Sequence, residues 1–143
     1  MVTGESQFGV HKSPPGGNSV HFLGELPIED VPPWYQRITI YAFTSRNEGF
    51  GLTLLEAMAS GNALVAARAG AADKVVIDGE TGILVPPGDV EALVAALERL
   101  MRKPEKAVAM GSRARDRAVT DFSVDSEAGA IAKFYESVWE KAR

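Results

Sequence analysis

The spacing of hydrophobic positions changes several times along this 143-residue chain, and each change marks an element. Met1 to Ser19 carries Gly4, Gly9, Gly16, Gly17 and the pair Pro14 and Pro15, keeps neither a two-residue nor a 3.6-residue period, and reads as loop. Val20-His21-Phe22-Leu23 is a short β-capable run closed by Gly24, and the acid- and proline-rich stretch from Leu26 makes a connection. Pro32 and Pro33 suit a first helical turn, where a missing N–H is no loss, and Trp34, Tyr35 and Ile38 then share one side of a short helix. Arg37 to Ser45, R-I-T-I-Y-A-F-T-S, is dense in β-branched and aromatic residues, which predicts a central parallel strand covered on both faces.

Leu52 to Ser60 contains helix formers throughout and stops at Gly61, a residue type typical just past a helix end. Ala63 to Ala67 predicts a second buried strand, Ala71 to Ile77 has room for a short helix, and Ile83-Leu84-Val85 is a third strand ended by Pro86 and Pro87. Asp89 is placed to cap a helix on which Val90, Leu93, Val94, Leu97, Leu100 and Met101 recur at helical spacing. Pro104 opens another helix to about Val119. Ser123 caps a last one whose side of Ile131, Phe134, Tyr135, Val138, Trp139 and Ala142 reads chiefly as core or interdomain packing. Buried strands alternating with helices predict an α/β fold, a Rossmann-like parallel sheet with flanking helices, in one domain over residues 20–143.

Composition adds exclusions. Hydrophobic residues at 45% and charged residues at 24% are ordinary for a globular domain and rule against disordered, collagenous or coiled-coil chains. With no cysteine there is neither disulfide nor thiolate zinc site, which suits a reducing compartment. No apolar run approaches the roughly 18 residues of a membrane span, and Met1 to Gly9 has no basic start, so the expected location is cytoplasmic. A formal charge of −4 exerts no overall pull on phosphate polymers, which argues against a nucleic-acid partner. His11 and His21 have no partner at metal-ligand spacing and no metal site is expected. Arg99, Arg102, Lys103, Lys106, Arg113, Arg115 and Arg117 read as a solvated helix surface; peripheral contact with an anionic membrane face is the lesser alternative.

The candidate chemistry lies in Ser45 to Glu56, a loop that follows the first long strand and feeds a helix, where ligands bind in open α/β sheets. Gly49 and Gly51 have no Cβ, so backbone can approach a bulky anion, and the N–H groups of Leu52, Thr53 and Leu54 point toward it. One helix end is worth about 0.3–1 kcal/mol to an anion, up to about 2 when partly buried, so a diphosphate also needs cations. Glu48 and Glu56 bracket the glycine loop. Repelled by phosphate, they suit hydroxyls or cations on its flanks, as a nucleotide sugar would present; for two glutamates alone the plainer reading is a pair of solvated acids. Gly49-Phe50-Gly51 is no dinucleotide fingerprint, because the third glycine position holds Leu54.

Glu48 and Glu56, with seven residues between, resemble the E-x7-E signature of the retaining group 1 glycosyltransferases with two Rossmann-like domains, the GT-B fold. F-L-G-E-L-P at Phe22 to Pro27, S-R-N-E-G-F-G-L-T-L-L-E-A-M-A-S-G at Ser45 to Gly61, D-G-E-T-G-I-L-V-P-P-G-D at Asp78 to Asp89 and F-S at Phe122 and Ser123 agree with it. W-Y-Q-R at Trp34 to Arg37 leading into R-N-E-G-F-G-L-T is similar to bacterial lipopolysaccharide core mannosyltransferases, which use GDP-mannose. The resemblance implies the carboxyl-terminal, donor-binding half of the fold and retaining hexosyl transfer from a nucleotide-diphosphate sugar, GDP-mannose or a UDP-sugar, to a glycan or lipopolysaccharide core acceptor. It implies no metal and no cofactor besides the donor. By the family pattern Glu48 holds the donor sugar as the catalytic residue, Gly49, Phe50 and Gly51 offer backbone contacts, Leu52 and Thr53 donate to phosphate, and Glu56 takes the ribose.

Against that pattern the chain has no counterpart of the amino-terminal acceptor domain, and none of the V-G-R strand and K-G segment whose cations neutralise the diphosphate. The expectation is therefore a fold without its first one or two strands, Thr3-Gly4-Glu5-Ser6 being a remnant, and a chain inactive by itself. Its unpaired strand edge invites local rearrangement or self-association. The alternatives are a non-catalytic nucleotide-sugar binding module serving a separate acceptor-binding chain, or an interaction domain without ligand.

Overall fold

The structure, a computed structural model, describes residues 23–46, 49 and 51–141. A 3-10 turn at Ile28–Asp30 leads into α1 (Val31–Arg37), whose first turn holds the two prolines, and then into β1 (Ile40–Phe43). There follow α2 (Leu52–Ala59), β2 (Ala63–Ala67), α3 (Ala72–Val75), β3 (Gly82–Val85), α4 (Val90–Met101), α5 (Pro104–Asp121) and α6 (Val124–Lys141). The strands pair in parallel in the order β1-β2-β3, with Ile40 opposite Ala63 and Leu64 opposite Gly82.

β2 and β3 are buried at every position, as continuous apolar runs covered on both faces should be. On one face Leu64, Ala66 and Leu84 pack with Leu54, Ala57 and Met58 of α2, and with Ala114 and Ala118 of α5. On the other, Ala63, Val65, Ile83 and Val85 meet Ala96 and Leu100 of α4 and Ala107 and Met110 of α5. α5 can run across the end of α2 because position 111 is glycine: a Cβ there would collide with the Gly61 carbonyl. Asp89 caps α4 by accepting the Ala92 N–H at 2.9 Å, and Ser123 Oγ accepts the Ser126 N–H at 3.2 Å at the start of α6. The free edge of β3 is blunted by Asp78, whose carboxylate accepts the Leu84 N–H at 2.9 Å. Asn62, 1% exposed, fastens α1 to the end of α2: its Nδ2 donates to the Tyr35 carbonyl at 2.9 Å and the Ile38 carbonyl at 2.7 Å.

Four expectations need correction. β1 is shorter than Arg37 to Ser45, and among the described residues it is an edge strand pairing only with β2, with Ala42 exposed rather than covered. On α4, Val90, Val94 and Met101 are exposed while Ala96 is buried, because the helix meets the sheet along a narrower stripe than its apolar residues define. α6 has no buried residue; Ile131, Phe134, Tyr135 and Val138 are exposed, so this side is not core, while the interdomain reading of it is untouched; α5 is the element it packs against. Arg113 and Arg117 are not simply solvated. Arg113 Nε donates to the Glu80 carbonyl at 2.9 Å and Arg117 Nε to the Val75 carbonyl at 3.0 Å, so they tie α5 to α3 and the turn before β3.

The expected strand at Val20 to Phe22, the remnant at Thr3 to Ser6, His11 and His21 lie outside the described residues; Leu23 is exposed and in no strand. Among the described residues no helix is long and apolar enough to cross a membrane.

Candidate functional site

After Phe43 the chain leaves the sheet at its carboxyl edge through Thr44, Ser45 and Arg46, and returns at Gly51 to start α2. Gly51 is buried and stands at φ 71°, ψ 45°, a left-handed conformation that side chains with a Cβ resist. Its carbonyl accepts the Leu54 N–H at 2.9 Å and the Leu55 N–H at 3.3 Å. The N–H groups of Leu52 and Thr53 therefore precede the intrahelical ladder and open toward the carboxyl edge of the sheet. Leu52, Thr53 and Gly49 are exposed, as an anion-binding turn requires.

Glu56 stands one turn along α2 and is exposed. Tyr35 is 8% exposed, and its ring meets that of Tyr41 edge to face with centroids 5.5 Å apart. Burial foremost, then the charges of Tyr41 and Glu56, raise the Tyr35 hydroxyl well above the usual phenolic range, which keeps it a proton donor.

A cleft of about 280 Å³ opens at the carboxyl ends of the strands, lined by Thr44, Arg46, Ala67, Gly88, Asp89 and Leu93 among others. The Arg46 guanidinium lies over Gly88, so close that a Cβ on residue 88 would be 2.9 Å from its Nη2. A cation thus stands two residues before Glu48, on the edge of the sheet where the family pattern of upstream cations finds no match.

Of the expected site residues, Gly49, Gly51, Leu52, Thr53 and Glu56 are described and lie together on the entry to α2; Glu48 and Phe50 fall outside the described residues. Arg46 joins the site from the fold, and Tyr35 is near enough to Glu56 for that carboxylate's charge to act on its hydroxyl. Sequence pattern assigns Tyr35 to an apolar helix side and Tyr41 to a strand, and the one available signal was the polar tip each carries. Arg46 stands inside the quoted loop, where a charge beside an anion-binding turn was the signal.

Comparison with known proteins fits this geometry. Residues 14–117 match the family model described as Glycosyl transferases group 1. The lipopolysaccharide core biosynthesis mannosyltransferase LpcC of Rhizobium leguminosarum bv. viciae is 47% identical over 117 residues, 82% of this chain and 33% of that protein. Among solved structures, HepE of Anabaena in complex with UDP and glucose superposes with a TM-score of 0.74 at 32% identity, covering 85% of this chain and 33% of HepE. The carboxyl-terminal domain of a group 1 family protein, LpcC of Francisella tularensis, superposes with a TM-score of 0.65 at 30% identity, covering 73% of this chain and 53% of that one. The chain spans about a third of the length of the curated relatives it matches. It belongs to the group 1 glycosyl transferases, and its parallel sheet and helices correspond to the Rossmann-like carboxyl-terminal half of the GT-B fold.

Proposed function

We propose that this chain forms the donor-binding half of a retaining glycosyltransferase, taking a nucleotide-diphosphate hexose, with GDP-mannose as the donor. The observation that carries the reading is the start of α2: left-handed Gly51 opens a helix whose intrahelical bonds begin at the Leu54 N–H, leaving the Leu52 and Thr53 amides before the ladder, and Glu56 follows one turn later. The diphosphate sits on the Leu52 and Thr53 amides with Gly49, Phe50 and Gly51 around it, Glu56 accepts hydrogen bonds from the ribose, and Glu48 holds the transferred sugar. Arg46 brings positive charge to the same edge. The UDP and glucose bound by HepE support a nucleotide sugar, and the mannosyltransferase name of the Rhizobium relative supports mannose. Transfer requires an acceptor-binding domain as well.

Retention without a metal or an enzyme nucleophile makes stabilisation of the departing diphosphate the main catalytic task. A lost preorganised donor there raises the barrier by roughly 2.7–4 kcal/mol. Calorimetric titration with GDP, UDP, ADP and their sugars, in parent and Glu56→Ala, tests the site. Each charge-assisted bond to the ribose is worth roughly 1.5–3 kcal/mol, so the variant should bind about tenfold or more weakly while melting like the parent. Absence of nucleotide binding near millimolar concentration, or equal affinity in both proteins, refutes the proposal.

A further inference from the structure

Most arginines of the described chain have partners within it. Arg68 and Arg102 form ion pairs, Arg113 and Arg117 donate to backbone carbonyls, and Arg37 lies over the Trp34 ring at 4.8 Å. Arg46 has neither a carboxylate nor a carbonyl partner among the described residues, although Asp89 lines the same cleft. Its guanidinium has a place nevertheless, because residue 88 is glycine: a Cβ there would lie 2.9 Å from Nη2 and 3.3 Å from Cζ, in the space the guanidinium occupies. A planar cation on the wall of a cleft, with no counter-charge of its own, is suited to a carboxylate or a phosphate.

The cleft and the entry to α2 lie on opposite faces of the sheet. Val85 and Leu93 line the cleft and belong to the core face covered by α4, whereas α2 covers the face of Leu64, Ala66 and Leu84. Between Arg46 and Gly51 the chain therefore passes from one face to the other, with Glu48 between them in sequence. A diphosphate on the Leu52 and Thr53 amides is on the α2 side, and whatever fills the cleft lies across that passage from it. The rest of the cleft is chemically mixed. Thr44 offers a hydroxyl, Asp89 has one oxygen on the Ala92 N–H and the other without a partner among the described residues, and Val85 and Leu93 form an apolar wall. Its volume of about 280 Å³ is at the low end of small-molecule pockets, roughly 300–1,000 Å³, and suits one sugar unit.

We infer that this cleft is a subsite for the acceptor, and that the acceptor unit it takes is an anionic sugar. The charged group meets Arg46, ring hydroxyls meet Thr44 and the second oxygen of Asp89, and the C–H face of the ring lies on Val85 and Leu93. The inference rests on the donor reading of Glu48 and the entry to α2, and adds to it the class of substrate that receives the sugar.

Glucose, glucuronate and glucose 6-phosphate share one ring and differ in carrying a hydroxyl, a carboxylate or a phosphate on its last carbon. Each is titrated into the isotopically labelled chain, and binding is read from the NMR shifts of the Ala67, Gly88 and Val90 amides. At least one anionic sugar should bind about tenfold or more tightly than glucose, the worth of a charge-assisted contact, and the one that does identifies the charged group. Arg46→Gln should abolish the preference. Gly88→Ala, whose methyl takes the place of the guanidinium, should reduce it with the charge still present; if that left-handed position does not tolerate alanine, the exposed Arg46→Gln decides alone. Equal affinity for all three sugars, no cleft shift with any of them, or a preference that survives Arg46→Gln overturns the inference, and sodium sulfate shifting the same amides as strongly would mean an adventitious ion only. An acceptor unit must lie next to the transferred sugar, so GDP-mannose should change the affinity of the cleft for the anionic sugar and GDP should not; indifference to both overturns the acceptor role. GDP and UDP are titrated separately and read at Leu52 and Thr53. If neither shifts those amides the donor reading fails and the acceptor role with it; if they do and the cleft is silent, the inference alone falls.

Discussion

Gly111→Ala adds one methyl group to α5 where that helix crosses the turn between α2 and β2. The new Cβ would collide with the Gly61 carbonyl oxygen and lie 2.8 Å from its carbon and 3.1 Å from Ala63 N. None of these atoms can give way cheaply. The Gly61 N–H is bonded to Met58 at 2.8 Å, the Ala63 N–H to Thr39 at 2.9 Å, and Gly61 itself sits at φ 82°. Helix α5 must therefore retreat from two core faces. Overpacking costs about 1–3 kcal/mol, and contact with fixed backbone places this case near 3; alanine returns about 0.8–1 kcal/mol of helix propensity. The net loss of about 2 kcal/mol lowers the melting temperature by roughly 6–8 °C for a domain of this size. Gly129→Ala on α6 is the control: it is also a mid-helix glycine, but nothing lies within 4 Å of its added Cβ. Only the propensity gain remains there, read as higher helical circular dichroism with a melting temperature at or above the parent. Thermal melts followed by far-UV circular dichroism check both. A Gly111→Ala protein that melts at or above the parent would show that α5 does not approach the α2 turn this closely.

Two further outcomes follow from the α1 anchor. Asn62→Ala strips the buried Tyr35 carbonyl and the part-buried Ile38 carbonyl of their donor, at about 1–3 kcal/mol each; it also removes the buried Oδ1, which has no partner among the described residues, and this offsets part of the loss. A net destabilisation of about 2–4 kcal/mol in urea unfolding is expected, and a change below about 0.5 kcal/mol would contradict the anchor. The raised pKa of the Tyr35 hydroxyl makes stability fall in alkali. Below pH 10, the ordinary phenolic value, both states keep this proton and the group exerts no slope; above it the unfolded chain releases the proton while the folded one holds it, costing up to about 1.4 kcal/mol per pH unit. Urea melts at pH 9 and pH 11 should show that loss in the parent and a smaller one in Tyr35→Phe; equal losses would remove Tyr35 as its source.

Much of the fold is legible because its signals are local. Ala63–Ala67 is a strand with the bounds its apolar run predicts, and α2 ends at the glycine that marks its stop. A helical stripe in a sequence, however, says which residues would face an apolar partner, not whether this chain contains one. Hence the stripe of α4 is only half covered, and that of α6 points outward. The reverse error concerns α5. Its buried side is Ala107, Met110, Gly111, Ala114 and Ala118, all but the methionine small residues that hardly register as hydrophobic pattern yet let the helix lie close to both core faces. Strand β1 fails for another reason: its composition anticipates neighbours on both sides, and the strand that would lie beyond it is not among the described residues.

The site divides along the same line. Gly51, Leu52, Thr53 and Glu56 are legible together because a left-handed glycine, two amides and a carboxylate one turn later occupy a single loop-to-helix passage, and adjacency in sequence guarantees adjacency in space. Tyr35 comes near that passage only through the packing of α1 on α2, and the contact that holds α1 there spans 27 residues, from Tyr35 to Asn62. Periodicity scores a tyrosine as one more apolar position and an asparagine as a turn, so it discards the amide that holds α1 in place. The amide is informative because burial is costly to it: Asn62, at 1% exposure, keeps both bonds of its Nδ2 to the carbonyls of Tyr35 and Ile38.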